Sequence, residues 1–247
     1  MEALSKAISG KGYAILNDIY TEEEIGVLLD IIANTDSTNA TFRKTVDLFA
    51  IRQFFKEVPA AVDIVFNDKL INLIKYLFGD KVFVVKSIYF DKPAESNWFV
   101  AYHQDLTISV DKKSVINGYG PWTVKHQQYA VQPPLSILQD NFTLRIHLDK
   151  TDELNGALKV IPGSHLKGVY RPETIDWNKE DEVFCCVEKG GIMFMKPLLL
   201  HASNRTTNNT PRKVLHIEFS KSILPGELNW SEYEELPFNQ IKKNRLF

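Results

Sequence analysis

Residues 81–90 read KVFVVKSIYF, and here the character of the chain changes. After Lys81 it is β-branched or aromatic at all but Lys86 and Ser87, which is a strand signal. The chain before it has another character. Residues 21–35, TEEEIGVLLDIIANT, start at Thr21 and carry Glu24 three residues on, the signature of a reciprocal N-terminal cap. Ile25, Leu28, Leu29 and Ile32 then recur at helical spacing. Residues 60–80, AAVDIVFNDKLINLIKYLFGD, also read as helix, with Gly79 as the stop. The chain after residue 90 continues in strands. WFVAYHQD (98–105), FTLRIHLD (142–149), GALKVIPGS (156–164), EVFCCVEKG (182–190), GIMFMKP (191–197) and KVLHIEFS (213–220) are further candidates, punctuated by Gly and Pro. Early helices followed by many short strands predict a mainly β protein with flanking helices, folded as a jelly roll.

No internal repeat interrupts this plan, and 247 residues are expected to form one domain. Residues 1–80 are expected to be a mainly helical part packed on the β core, 81–220 the core itself, and 221–247 a C-terminal extension. The stretch 108–137 is polar and weakly periodic, so it is expected to be a long loop able to close as a lid.

Charge and composition exclude several partners. Lys plus Arg number 29 against 31 Asp plus Glu, for a net charge of −2, which gives no electrostatic case for nucleic acid or an anionic membrane. No apolar run approaches the ~20 residues of a membrane span. The start, MEALSKAISGKGYAIL, lacks the apolar stretch of a secretory signal. The two cysteines, Cys185 and Cys186, are adjacent and build no disulfide framework, so a cytoplasmic location is expected. On a strand they point to opposite faces. The expected partner is a small-molecule substrate, with no obligate protein partner evident.

The chemistry sits in AYHQDLTI (101–108) and PLLLHASN (197–204). An H-x-D on a strand turns His103 and Asp105 to the same face. His201 is the natural third ligand, brought opposite by folding. Two histidines and one carboxylate form a facial set that suits ferrous iron and leaves positions open for a chelating 2-oxo acid and for O₂. Zinc also accepts such donors. Arg212, eleven residues after His201 in RKVLHIEFS, is a cation placed to hold the far carboxylate of the 2-oxo acid.

Three segments carry a resemblance: YHQDLTI around His103, NGALKVIPGSH at 155–165, and HASN…RKVLHIEFS from His201 to Ser220. Asn97–Trp98, Gly120–Trp122 and Val131–Pro134 add to it. Together they resemble the phytanoyl-CoA dioxygenase family of oxygenases, which use Fe(II), 2-oxoglutarate and O₂. The resemblance implies a double-stranded β-helix, a cupin-like core with iron at its open end. It implies that His103, Asp105 and His201 bind iron and that Arg212, helped by Ser203, binds 2-oxoglutarate. Gln104 and Trp122 match positions near the cosubstrate. The implied reaction is hydroxylation of a C–H bond in a small organic molecule, with 2-oxoglutarate converted to succinate and CO₂. A metal-dependent hydrolase on the same ligands, or a catalytically silent β-helix that only binds, are the alternatives. A hydrolase has no need of Arg212, and a silent module would be expected to have lost a ligand.

Other polar residues divide between cavity and scaffold. In FTLRIHLD one face carries Thr143, Arg145 and His147, and the other is apolar. Arg145 is therefore a candidate for contact with a substrate or cosubstrate anion, and Lys86 is a second substrate candidate. His165, in a Gly-Ser turn, is expected to make a structural hydrogen bond. His216, two residues before Glu218, is expected in a polar network, and His126 in the long loop.

Overall fold

The computed structural model describes residues 1–36, 38–45, 49–94, 99–125 and 128–236. Asn97, Trp98, His126 and the end of the C-terminal extension lie outside them.

The N-terminal part mixes helices with short strands: α1 (Glu2–Lys11), β1 (Tyr13–Leu16), α2 (Glu22–Ala33), β2 (Phe42–Lys44), β3 (Phe49–Arg52), α3 (Phe54–Glu57), α4 (Val62–Val65) and α5 (Asp68–Phe78). The cap expected on α2 is present. Glu24 N donates to Thr21 Oγ1 at 3.1 Å, and Thr21 N donates back to Glu24 Oε2 at 2.8 Å. The helix expected over 60–80 is divided. Phe66 leaves helical geometry, and the Asn67 side chain caps α5 by accepting from Leu70 N at 2.9 Å. An Asn followed by Asp68 favours a fresh helix start over continuation.

The remainder is largely β: β4 (Phe83–Lys92), β5 (Val100–His103), β6 (Ile108–Val110), β7 (Trp122–Lys125), β8 (Gln128–Val131), the short helix α6 (Leu135–Asp140), β9 (Phe142–His147), β10 (Leu158–Val160), β11 (Val183–Cys185), β12 (Ile192–Met195), β13 (His201–Ser203), β14 (Arg212–Ser220) and β15 (Glu234–Glu235). An eight-stranded antiparallel sheet runs β1-β12-β9-β14-β4-β3-β2, with β15 also paired to β4. A four-stranded sheet runs β11-β10-β13-β5. These two sheets form the jelly-roll core. The expected loop at 108–137 is instead largely a third sheet, β6-β8-β7. Ile108 and Val131, paired across it, are both buried. Its strands are three or four residues long, too short to show period-two alternation in the sequence.

The period-two pattern of β9 and β14 sorts the large sheet into two faces. Phe142, Leu144 and Ile146 join Leu215, Ile217 and Phe219 on the outer face, where α2 and α5 cover them with Leu28, Ile32, Leu70 and Ile74. Phe78 of α5 stacks on Phe142 with centroids 3.6 Å apart, and Phe142 stacks on Phe219 at 4.7 Å. Each such buried aromatic contributes on the order of 1.5–3 kcal/mol of transfer free energy. The inner face meets the smaller sheet. Met193 and Met195 fill one end against Leu158, Val160 and Cys185. Toward β14 and β4 the filling becomes polar, and there the sheets part around a cavity. Among the described residues no helix is long and apolar enough to cross a membrane.

Candidate metal centre

Register builds the centre. β13 pairs with β5 so that His201 stands opposite His103, with ring centroids 4.2 Å apart. β5 ends at His103, and Asp105 lies just beyond it, held by Asp105 N donating to Pro197 O at 2.8 Å. That bond ties the H-x-D segment to the turn preceding His201. The same turn is pinned by the buried Ser164, whose Oγ accepts from Leu200 N at 2.8 Å.

The three ligand atoms lie within 4.8 Å of one another. Asp105 Oδ1 is 3.8 Å from His103 Nε2, and Asp105 Oδ2 is 3.8 Å from His201 Nε2. These separations are too long for hydrogen bonds. Asp105 Oδ2 is buried with no hydrogen-bond partner. The other imidazole nitrogens are committed. His103 Nδ1 donates to Ala101 O and His201 Nδ1 to Leu199 O, each at 2.9 Å. With the proton placed there, each Nε2 presents its lone pair to the space beside Asp105. Burial pushes the His201 imidazole down to about 4, against the opposing pull of Asp105, so it is neutral at pH 7. Burial would raise the Asp105 carboxyl, but His201, His216, Lys86 and His103 outweigh it and hold it below the usual range. Two imidazole nitrogens, one carboxylate and a buried oxygen without a donor fit a divalent metal ion.

The cavity beside these ligands holds about 310 Å³. Ser203, on β13, and Arg212, at the start of β14, both line it and are both buried. Arg212 Nη1 donates to Gly156 O. Burial and the neighbouring Arg145 push the Arg212 guanidinium down to about 9. Gly156 has φ 84°, and a Cβ there would lie 2.8 Å from Asn204 O and 3.1 Å from Lys92 Nζ, so only glycine lets this loop close on Arg212.

Arg145 and Lys86 line the same cavity. They belong to a buried chain of polar contacts. Arg145 Nη1 donates to His216 Nδ1 at 3.1 Å, His216 Nε2 donates to Glu218 Oε1 at 3.2 Å, and Lys86 Nζ donates to the same oxygen at 2.6 Å. The expected network at His216 is present, and the charge of Lys86 is spent on Glu218.

Gln104 and Trp122 do not reach the cavity. Strand alternation turns Gln104 away from its two neighbours. Its Nε2 donates to Gly168 O at 2.9 Å and Leu198 O at 2.6 Å, and its Oε1 accepts from Tyr170 N at 2.8 Å. The amide therefore braces the loop behind the metal ligands. Trp122 sits in β7 and packs with Val131, Leu138 and Trp230 in a separate apolar cluster. His165 makes the expected structural bond, Nε2 donating to Ser9 O at 3.0 Å. The sequence reading missed Arg43 and Arg52, which enter the cavity from β2 and β3. Phe49–Arg52 is too short a run to announce a strand.

The fold and this site define an oxygenase of the iron- and 2-oxoglutarate-dependent class. The chain belongs to the phytanoyl-CoA dioxygenase (PhyH) family, whose model matches residues 8–214. No curated protein sequence matches it. Solved structures share the fold at low identity. EctD from S. alaskensis with 2-oxoglutarate and 5-hydroxyectoine superposes with a TM-score of 0.69 at 19% identity, covering 89% of this chain and 76% of that one. The carbocyclase SnoK from nogalamycin biosynthesis gives 0.64 at 15%, covering 89% and 83%. The non-haem monooxygenase ThoJ, as a nickel complex, gives 0.62 at 18%, covering 93% and 80%.

Proposed function

We propose that the protein is a dioxygenase that hydroxylates a C–H bond of a small organic molecule, with Fe(II) at His103, Asp105 and His201. The observation that carries this reading is the convergence of two Nε2 lone pairs and an unpartnered carboxylate oxygen within 4.8 Å. When bound, iron with 2-oxoglutarate and O₂ supplies an oxidant for the C–H bond while the 2-oxo acid becomes succinate and CO₂.

The chain's own residues supply position and exclusion of water. Ala101 O and Leu199 O fix the two imidazoles in the ligating tautomer. Arg212, with Ser203 beside it, receives the far carboxylate of 2-oxoglutarate through a charge-assisted contact. Burying a guanidinium without a carboxylate is costly, and a dianionic cosubstrate relieves that cost. A hydrolase on the same ligands leaves Arg212 without a purpose. The apolar wall of Ile88, Phe90 and Leu158 keeps the reacting carbon dry.

The test is succinate formation from 2-oxoglutarate by the purified protein. Formation is expected to need both Fe(II) and O₂ and to stop in Asp105→Ala. Succinate made equally well with zinc, or under argon, would defeat the proposal.

A further inference from the structure

The charges around the cavity do not balance, and the imbalance identifies the kind of substrate that would enter. Among the described residues five cationic side chains line it, Arg43, Arg52, Lys86, Arg145 and Arg212, against two carboxylates, Asp105 and Glu218. Lys86 and Glu218 cancel at 2.6 Å. On the oxygenase reading, on which this inference rests, a divalent metal and Arg212 are balanced by Asp105 and doubly charged 2-oxoglutarate. Arg145, Arg52 and Arg43 remain. Among the described residues no carboxylate lies within ion-pair distance of any of the three.

Their placement is ordered. Arg52, Ile88, His216 and Arg145 stand opposite one another on successive strands β3, β4, β14 and β9, and so share the inner face. Strands lie about 4.8 Å apart, so the row runs from the deep guanidinium of Arg145 to that of Arg52 on β3, one strand in from the sheet edge. Arg145 is only 8% exposed, and its Nε is buried without a partner. Among the described residues its hydrogen-bond partner is the ring of His216, which burial keeps neutral and which supplies no negative charge. Arg52 donates to the neutral Gln128 Oε1 at 3.3 Å. Arg43 is exposed on β2 opposite Ala50, another lining residue. A second cavity of about 450 Å³ adjoins the first and shares Arg52, Lys86 and Ile88 with it. Its two carboxylates are already engaged, Asp111 by Asn229 and Glu232 by Ser87. Arg52 therefore stands where the outer space meets the metal cavity.

We propose that the primary substrate is a small organic anion, an apolar frame carrying a carboxylate or phosphate, whose acidic group is received by Arg145 and Arg52 while Arg43 draws it in at the rim. The apolar frame follows from Ile88, Phe90, Val100 and Leu158 in the cavity wall. A buried guanidinium with free donors is a strong receptor for such an oxyanion.

The experiment is calorimetry under argon on the full chain, loaded with Fe(II) and saturated with 2-oxoglutarate so that Arg212 is occupied. The probes are hexanoate, hexyl phosphate and the neutral hexanamide. At least one anion is expected to bind roughly tenfold or more tightly than the amide, and which one identifies the acid. Arg52→Gln lies at a partly exposed position and is expected to weaken that anion roughly ten- to a hundredfold while leaving the amide unaffected. Failure of both anions to outbind the amide would overturn the inference, as would a preferred anion indifferent to Arg52→Gln. The loading steps keep the two ideas apart. Absence of Fe(II) or 2-oxoglutarate uptake sinks the oxygenase reading, whereas normal uptake without anion preference sinks only the substrate class.

Discussion

Replacing Arg212 by Met is expected to leave stability without 2-oxoglutarate undiminished and to cut the stabilisation that 2-oxoglutarate brings. Arg212 is 6% exposed, has Arg145 as a like-charged neighbour, and has no carboxylate partner among the described residues. Its guanidinium is pushed down to about 9, which marks a burial cost of a few kcal/mol. Methionine removes that cost and keeps much of the apolar stem, at the loss of the bond to Gly156 O. Without ligand, the variant should unfold at the same temperature as the unaltered protein or higher. With ligand, the unaltered protein should gain more than the variant. Losing a charge-assisted contact weakens binding by about 1.5–3 kcal/mol, or roughly ten- to a hundredfold. At 2-oxoglutarate a hundredfold above Kd, the unaltered metal-loaded protein gains about 2.7 kcal/mol. A variant weakened a hundredfold gains only about 0.4 kcal/mol at the same concentration. For a chain of this size the difference is roughly 5–9 °C in Tm. Thermal unfolding followed by circular dichroism with and without the ligand, under argon, measures both halves. A variant that keeps the full ligand-induced rise would remove Arg212 from the cosubstrate site. A large loss of stability without ligand would refute the burial argument.

Gly156→Ala places a Cβ 2.8 Å from Asn204 O at φ 84°. It should cost about 1–3 kcal/mol in urea unfolding and weaken 2-oxoglutarate as well, because the loop carries the carbonyl that Arg212 holds. Stability of the metal-free protein should fall as pH falls below about 6.5. His147, His201 and His216 are buried and held below their ordinary value, so the unfolded chain binds protons first. For His201 alone the drop from 6.5 to about 4 is worth on the order of 3 kcal/mol, fully present above pH 6.5 and lost by about pH 4. Denaturant midpoints at pH 7 and pH 5 read this directly, and equal midpoints would contradict it.

What the sequence made legible was what period and spacing encode. The Thr21–Glu24 cap, the apolar period of α2, the inner polar face of FTLRIHLD and the convergence of His103, Asp105 and His201 all appear in the structure. What it hid depends on tertiary pairing. β6, β7 and β8 are too short to show a period, so their sheet looked like a loop. The break before α5 turned on one capping side chain, Asn67, inside an apolar run. The alternation that unites His103 with Asp105 also turns Gln104 the other way, and applying it to all three positions assigns Gln104 to the scaffold. Arg43 and Arg52 had no signal, because their strands acquire meaning only beside β4.

His103, Asp105 and His201 are proposed to close on one metal ion. The most direct test is Fe(II) bound per chain after anaerobic dialysis, compared between the unaltered protein and His201→Ala, with folding of both checked by circular dichroism. About one iron per chain is expected in the unaltered protein and almost none in the folded variant, since loss of one of three ligands leaves a weak two-point site. Equal iron in the two proteins would contradict it.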